Sequence, residues 1–279
     1  MHPPSRDIFI YLYGGLGNQL FQAAFALALE ERLNAEVKFI VDSYKDEGPH
    51  GLMLPCFPTL RPRIVPLSDA LGAPMINENA VRHFPPDQLL TQLSGLMEQS
   101  GRLFFWGFWQ NEAYFFGLRD KLRPIFQPLV KDATAAEAAA IAETETIGIH
   151  LRRRNYGHMG LARTDYYRQA IEAIRKERGP LPVLCFSDEP GFCQYVFRDI
   201  DNLTVSGNSD FTRPLDDFAK LMACRHHVIA NSTFSWWPAW LAEQSDSIIY
   251  APSPWVFPDP LTNPVPARWR SLSDAVQRQ

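Results

Sequence analysis

The stretch Ile8-Phe9-Ile10-Tyr11-Leu12-Tyr13-Gly14-Gly15-Leu16-Gly17-Asn18-Gln19 decides the fold class. Its first six residues form an uninterrupted apolar and aromatic run, the pattern of a strand buried on both faces. A glycine turn follows, and Gln19 to Leu33, rich in Ala, Leu and Phe, reads as a helix. Val37-Lys38-Phe39-Ile40-Val41 is the next strand. Strand, glycine turn, helix and strand make the βαβ unit of a doubly wound sheet.

Outward from that unit, residues 48–86 are proline-rich and weakly periodic and predict loops and short helices. Leu103 to Trp109 reads as an aromatic strand, Ala113 to Phe126 as a helix, and Lys131 to Glu145 as an alanine-rich helix joining two halves. The second half repeats the rhythm. Strands are expected over Thr146–Leu151, Pro182–Phe186, Leu203–Val205, His227–Ala230 and Ser247–Ala251. Helices are expected over Asp165–Arg178, Gly191–Phe197, Leu215–Ala223 and Ser235–Ala242. The chain is long enough for one large domain or for two, and the alanine-rich helix is a plausible join between halves 1–130 and 131–279.

At 279 residues, 46% hydrophobic and 21% charged, the chain has the composition of a globular protein. Its net charge of −4 argues against a nucleic-acid partner and makes any anion site a local matter of a few placed arginines. Cys56, Cys185, Cys193 and Cys224 show no metal-ligand spacing, and no H-E-x-x-H or D-x-D appears, so no metal is expected. Residues 1–7 are too polar for a signal peptide, and glycines and amides break the apolar stretch that follows. A cytoplasmic location is expected, without a transmembrane segment and with peripheral membrane contact left open.

Ligands of such sheets sit beyond the carboxyl ends of the strands, which selects four places. His150-Leu151-Arg152-Arg153-Arg154 sets three guanidiniums in a row, and their forks match phosphate oxygens bidentately. The alternative is that they pair with surface carboxylates. Gly14 to Gln19 is neither a dinucleotide fingerprint nor a P-loop, but it offers close backbone approach at a helix start. Ser187-Asp188-Glu189 can receive a ribose or a guanine edge, or can cap a helix. Asn231-Ser232-Thr233-Phe234-Ser235 suits a phosphate or simple capping. Trp236, Trp237 and Trp240 read as core beneath that loop.

Together these segments resemble the bacterial α-1,2-fucosyltransferase family, glycosyltransferase family 11-like. The matching stretches are Gly14-Gly15-Leu16-Gly17-Asn18-Gln19-Leu20-Phe21-Gln22, His150-Leu151-Arg152-Arg153, Phe186-Ser187-Asp188 and the run from Ile229 to Leu241. The resemblance implies a GT-B-like architecture of two Rossmann-like lobes with a donor cleft between them. The N-terminal lobe is the acceptor side, with Gly15, Asn18 and Gln19 in the glycine turn. The C-terminal lobe holds GDP-fucose, the donor substrate, with no cofactor. Arg152 and Arg153 are implied near the diphosphate, Ser187 and Asp188 near the guanosine, and Asn231, Ser232, Thr233 and Ser235 in the phosphate loop. The implied reaction is inverting and metal-independent and puts fucose on a galactose-containing glycan acceptor. A transferase using another nucleotide sugar, or a nucleotide-binding protein that has lost catalysis, are the rival readings.

The family commonly reads H-x-R-R-G-D-Y where this chain has His150-Leu151-Arg152-Arg153-Arg154-Asn155-Tyr156. Asn155 cannot act as a carboxylate base. His150 and Asp165 are the candidates in its place, beside Arg153 as the catalytic cation, or else a loose transition state needs little base assistance.

Overall fold

The computed structural model describes residues 6–44, 51–60, 62–154, 159–206, 214–256 and 263–277. The chain divides into two compact units, Met1–Gln127 and Pro128–Gln279. In the first unit, β1 (Asp7–Tyr11) leads into α1 (Leu16–Leu33) and β2 (Glu36–Ile40). Then come β3 (Ile64–Val65), β4 (Met75–Asn77), α2 (Glu78–Val81), α3 (Pro86–Ser100), β5 (Arg102–Trp106) and α4 (Arg119–Ile125). The strands form one parallel sheet in the order β3-β2-β1-β5-β4. Helix α1 carries apolar side chains around its circumference, and Leu20, Phe21, Ala24, Phe25 and Leu29 are all fully buried, as expected of a helix enclosed by its own unit. Gly14 precedes it at φ +82°, and a Cβ there would stand 2.6 Å from Asn18 Nδ2. Only glycine fits this turn.

The second unit contains α5 (Asp132–Ala142), β6 (Ile147–Leu151), β7 (Leu161–Ala162), α6 (Thr164–Arg178), β8 (Val183–Ser187), α7 (Pro190–Val196) and β9 (Leu203–Ser206). It continues with α8 (Pro214–Met222), β10 (His226–Val228), α9 (Thr233–Ala242), β11 (Ile249–Pro252), β12 (Arg270–Leu272) and β13 (Val276–Gln277). Six strands make a parallel sheet in the order β12-β11-β10-β6-β8-β9, while β7 and β13 pair antiparallel. Strand β6 is buried throughout. Ile147, Ile149 and Leu151 belong to one core with Tyr166, Tyr167, Ala170 and Ile174 of α6. On the other face, a Cβ on Gly148 would meet Leu221 of α8 at 2.7 Å, so that helix rests directly on the strand.

Three expectations change. Strand β5 stops at Trp106, because Gly107 and Trp109 (φ +58°) turn the chain and Glu78 takes the N–H groups of Phe108 and Trp109 at 2.6 and 2.9 Å. The helix expected over Ala113–Phe126 is two 3₁₀ turns, Glu112–Tyr114 and Phe116–Leu118, followed by the short α4 containing Pro124. Phe115, at φ −135°, lies outside helical space and separates the turns. Residues 48–86 hold two short parallel strands besides helices, since β3 and β4 complete the two edges of the first sheet. Among the described residues no helix is long and apolar enough to cross a membrane.

Both large sheets reverse strand order once. Successive strands run from β1 to β2 and β3 on one side, with β5 and β4 on the other; likewise β6, β8 and β9 oppose β10, β11 and β12. The switch points therefore lie between β1 and β5 and between β6 and β10, where ligands of open α/β sheets bind.

Candidate nucleotide-sugar site

In the second unit the arginine turn leaves β6 at one side of the switch point. Asp188, at the end of β8, organises it. Its carboxylate accepts from Arg153 N at 3.0 Å and Arg154 N at 3.2 Å, and Arg152 Nη1 lies 3.0 Å away. Charge-assisted bonds of this kind fix backbone as well as side chain. Burial lifts the Asp188 carboxyl above its usual range, against the opposing pull of Arg152 and the two N–H groups. The Arg153 side chain pairs through Nε with Glu189 at 2.8 Å, and its guanidinium carbon lies over Phe192, 3.6 Å from the ring centre. Arg152 and Arg153 thus do pair with carboxylates, as the alternative reading of the turn has it. Asp188 serves the turn itself, and Ser187 Oγ accepts from Glu189 N at 3.0 Å, closing the same corner.

His150 ends β6 next to the turn. It is 6% exposed, and its ring centre is 5.2 Å from that of Phe234. Burial, then the Arg152 charge, pulls its pKa down to about 3. Such an imidazole is neutral and a poor proton acceptor at neutral pH. Two consecutive tyrosines of α6, which the sequence reading passed over, pin the strand ends on either side of the switch point: Tyr167 donates to His150 O and Tyr166 to Ile229 O, each at 2.9 Å. Their adjacency on a helix facing the sheet was the signal.

Across the switch point, Asn231 follows β10 and is 1% exposed. Its Nδ2 donates to Gly160 O at 3.0 Å, holding the chain beyond the arginine turn. Ser232 is the N-cap of α9, and its carbonyl receives Ser235 N, Trp236 N and the Ser235 hydroxyl. Thr233 opens the helix half-buried. The partial positive charge of this N-terminus favours an anion. Trp236, Trp237 and Trp240 are fully buried below. Two buried polar atoms at these strand ends, His150 Nδ1 and Asn231 Oδ1, have no partner among the described residues. Buried polar atoms nearly always have one, and a ligand at the switch point can supply it.

Asp165 stands apart. It is 62% exposed in the first turn of α6 and faces Arg163 at 3.5 Å, with no hydrogen bond to His150 among the described residues. Asn155 and Tyr156 lie outside the described residues. A carboxyl missed in the sequence is Asp217. It sits one turn before Leu221, the residue of α8 that packs on Phe186 at the end of β8. Burial raises its pKa to about 7, with Lys220 opposing and Asp216 assisting. An acid placed four residues before Leu221 and one before Phe218, on an apolar helix face, is the pattern that marks it.

In the first unit, Gly15 caps α1, and Asn18 Oδ1 accepts from Gln110 Nε2 at 3.0 Å. Gln19 is fully buried. Its Nε2 donates to Gly14 O and Gly51 O, and its Oε1 accepts from Met53 N at 2.8 Å. Gln22 similarly ties Tyr13 N to Gly107 O. Both glutamines of the glycine-turn motif are loop fasteners. Among the described residues no three His, Cys, Asp or Glu side chains gather as a metal site requires.

Two parallel Rossmann-like units, one with a basic turn and a helix N-terminus at its switch point, define a GT-B-like glycosyltransferase. The chain belongs to glycosyl transferase family 11, whose family model matches residues 75–259. It is 30% identical to the alpha-1,2-colitosyltransferase of Escherichia coli, over 92% of this chain and 96% of that one. It is 25% identical to the galactoside alpha-(1,2)-fucosyltransferase 1 of Pan troglodytes, over 84% of this chain and 64% of that one. Among solved structures, Arabidopsis thaliana FUT1 (mutant R284K) in complex with GDP superposes with a TM-score of 0.55 at 15% identity, covering 92% of this chain and 72% of that one. That last likeness is one of fold.

Proposed function

We propose that this chain transfers L-fucose from GDP-fucose to a galactose-type hydroxyl of a glycan, forming an α-1,2 linkage with inversion and without a metal ion. The observation that carries the proposal is the meeting of the Asp188-held arginine turn with the N-terminus of α9 across one switch point. In this scheme residues 131–279 hold the GDP-sugar and residues 1–130 form the acceptor side. Arg152 and Arg153 turn from Asp188 and Glu189 toward the diphosphate and stabilise the charge developing on departing GDP. Ser232 and Thr233 at the start of α9 receive the phosphates, while Ser235, buried and donating to Ser232 O, shapes that turn. Ser187 and Asp188 hold the guanosine side of the turn. Since His150 is a weak base and Asp165 is exposed and ion-paired, the acceptor hydroxyl attacks an oxocarbenium-like sugar as the bond to GDP breaks, and its proton passes to solvent with little base assistance. The four cysteines are free, which fits a reducing, cytoplasmic setting, with contact to a membrane only at its surface.

A second donor is favoured by one observation: the relative at 30% identity is named a colitosyltransferase. Both readings are tested by incubating the chain, in chelator, with GDP-fucose, GDP-colitose or GDP-mannose and N-acetyllactosamine. GDP release with an α-1,2-linked product by NMR is expected from GDP-fucose. Preference for GDP-colitose would select the second donor, and silence with every donor would overturn the proposal. Arg153→Ala is expected to lower kcat by about 100- to 1000-fold, the scale of removing one oxyanion donor; an unchanged kcat would remove Arg153 from the chemistry.

A further inference from the structure

The switch point of the first unit carries a different chemistry from that of the second. Tyr11 and Trp106 end the neighbouring strands β1 and β5 and stack in parallel, with ring centres 4.5 Å apart and planes 5° apart. Tyr13 and Phe108, two residues beyond the end of each strand, pack at 4.3 Å. The four rings extend the cluster of Phe9, Ile40 and Phe104 to the carboxyl edge of the sheet. Trp106 is 40% exposed there, whereas the other six tryptophans of the chain are buried. Beside the rings lies a pair of amides, Asn18 and Gln110, hydrogen-bonded to each other at 3.0 Å. Gly14 joins the two features: a Cβ on it would touch both Asn18 and Phe108, at 2.6 and 3.2 Å. The Tyr13 hydroxyl stays neutral, because burial and then the nearby Glu78 charge push its pKa up to about 12. The four rings and the two amides carry no charge of their own, and amide and hydroxyl groups border the rings.

We infer that this aromatic platform binds the acceptor sugar, with the apolar face of a galactose-type pyranose ring stacked on Trp106 and its hydroxyls directed to Asn18, Gln110 and Tyr13. A pyranose presents a face of C–H bonds that the negative face of an indole attracts, and a rim of hydroxyls that amides satisfy. A nucleotide diphosphate, by contrast, finds no cation among these six residues. Sites of this make-up, aromatic walls with a few placed polar groups at a switch point, suit a neutral small ligand. The assignment rests on the transferase reading for its biological meaning, but binding at the platform is measurable without turnover.

The test compares Trp106→Ala and Trp106→Phe with the wild-type chain in two assays. In the first, N-acetyllactosamine is titrated without donor, and binding is read by saturation-transfer NMR and by the shift in tryptophan emission that an exposed indole gives. In the second, KM is measured for N-acetyllactosamine and for GDP-fucose, together with acceptor-independent GDP release. Trp106→Ala is expected to weaken acceptor binding and raise acceptor KM about tenfold, the scale of losing one aromatic contact. Donor KM and acceptor-independent release should stay unchanged, and Trp106→Phe should recover part of the loss. Turnover with an unchanged acceptor KM in Trp106→Ala would overturn the platform and leave the transferase standing. Trp106-dependent binding without turnover from any GDP-sugar would do the reverse. Absence of both would overturn both.

Discussion

Asp188 shows how one side chain can determine what several others do. With its side chain only 4% exposed, it holds two successive backbone N–H groups and one guanidinium. Removing it leaves Arg152 short of its charge partner and the N–H groups of residues 153 and 154 without an acceptor. Asp188→Ala is therefore expected to destabilise the second unit by about 3–5 kcal/mol, the cost of breaking a buried pair, and to weaken GDP binding through a loosened turn. Urea denaturation and calorimetry with GDP check this; a loss below 1 kcal/mol would reduce Asp188 to a surface partner. Glu78 plays the corresponding part in the first unit, where it accepts from Phe108 N and Trp109 N. Each unit thus uses one carboxylate to shape the loop at its switch point.

At the scale of elements, α8 is the informative one. Its apolar face presses Leu221 onto Phe186, and the same face carries Asp217 one turn earlier. Burial raises that carboxyl to about 7 from an ordinary 3.8. The native state therefore binds a proton that the unfolded state releases between those values, so this group's contribution to stability is full below about pH 4 and lost as pH rises to 7. Asp217→Asn is expected to remove that loss, leaving the variant more stable than wild type at pH 8 and equal to it near pH 4. Thermal melts at the two pH values decide, and parallel shifts at both would rule the carboxyl out as the cause. The elements also show where local reading failed. An aromatic run predicts a strand through Trp109, yet Glu78, thirty residues away, takes the backbone N–H groups at Phe108 and Trp109. The stretch at 113–126 has helical composition, but Phe115 leaves helical space and splits it.

At the scale of the whole molecule, His150 and His227 of the second unit are buried in neutral form. His150 is held at about 3 and His227 at about 4, each chiefly by burial. Both have folded pKa values below the ordinary 6.5, so the stability they contribute is present above that value and is lost as pH falls toward 4. Net stability should fall over that range despite the opposing protons of the raised Asp217 and Asp188 carboxyls, and Asp217→Asn should make the fall steeper. Urea midpoints from pH 7 to 4 measure it, and a flat profile in both proteins would contradict the buried neutral histidines. The α/β class, the parallel strands and the four strand-end segments were legible in the sequence, because apolar runs, glycine turns and helix starts are local signals. So was the family, through motifs from Gly14 to Leu241. The sequence could not show that Asp188 faces the arginines, that Gln19 and Gln22 fasten loops, or that Tyr11 stacks on Trp106. Those contacts join residues tens of positions apart, and only the packing of strands into sheets brings them together. The arginine turn was visible as a cluster of charge, and the tertiary structure supplied the carboxylates that hold it in place.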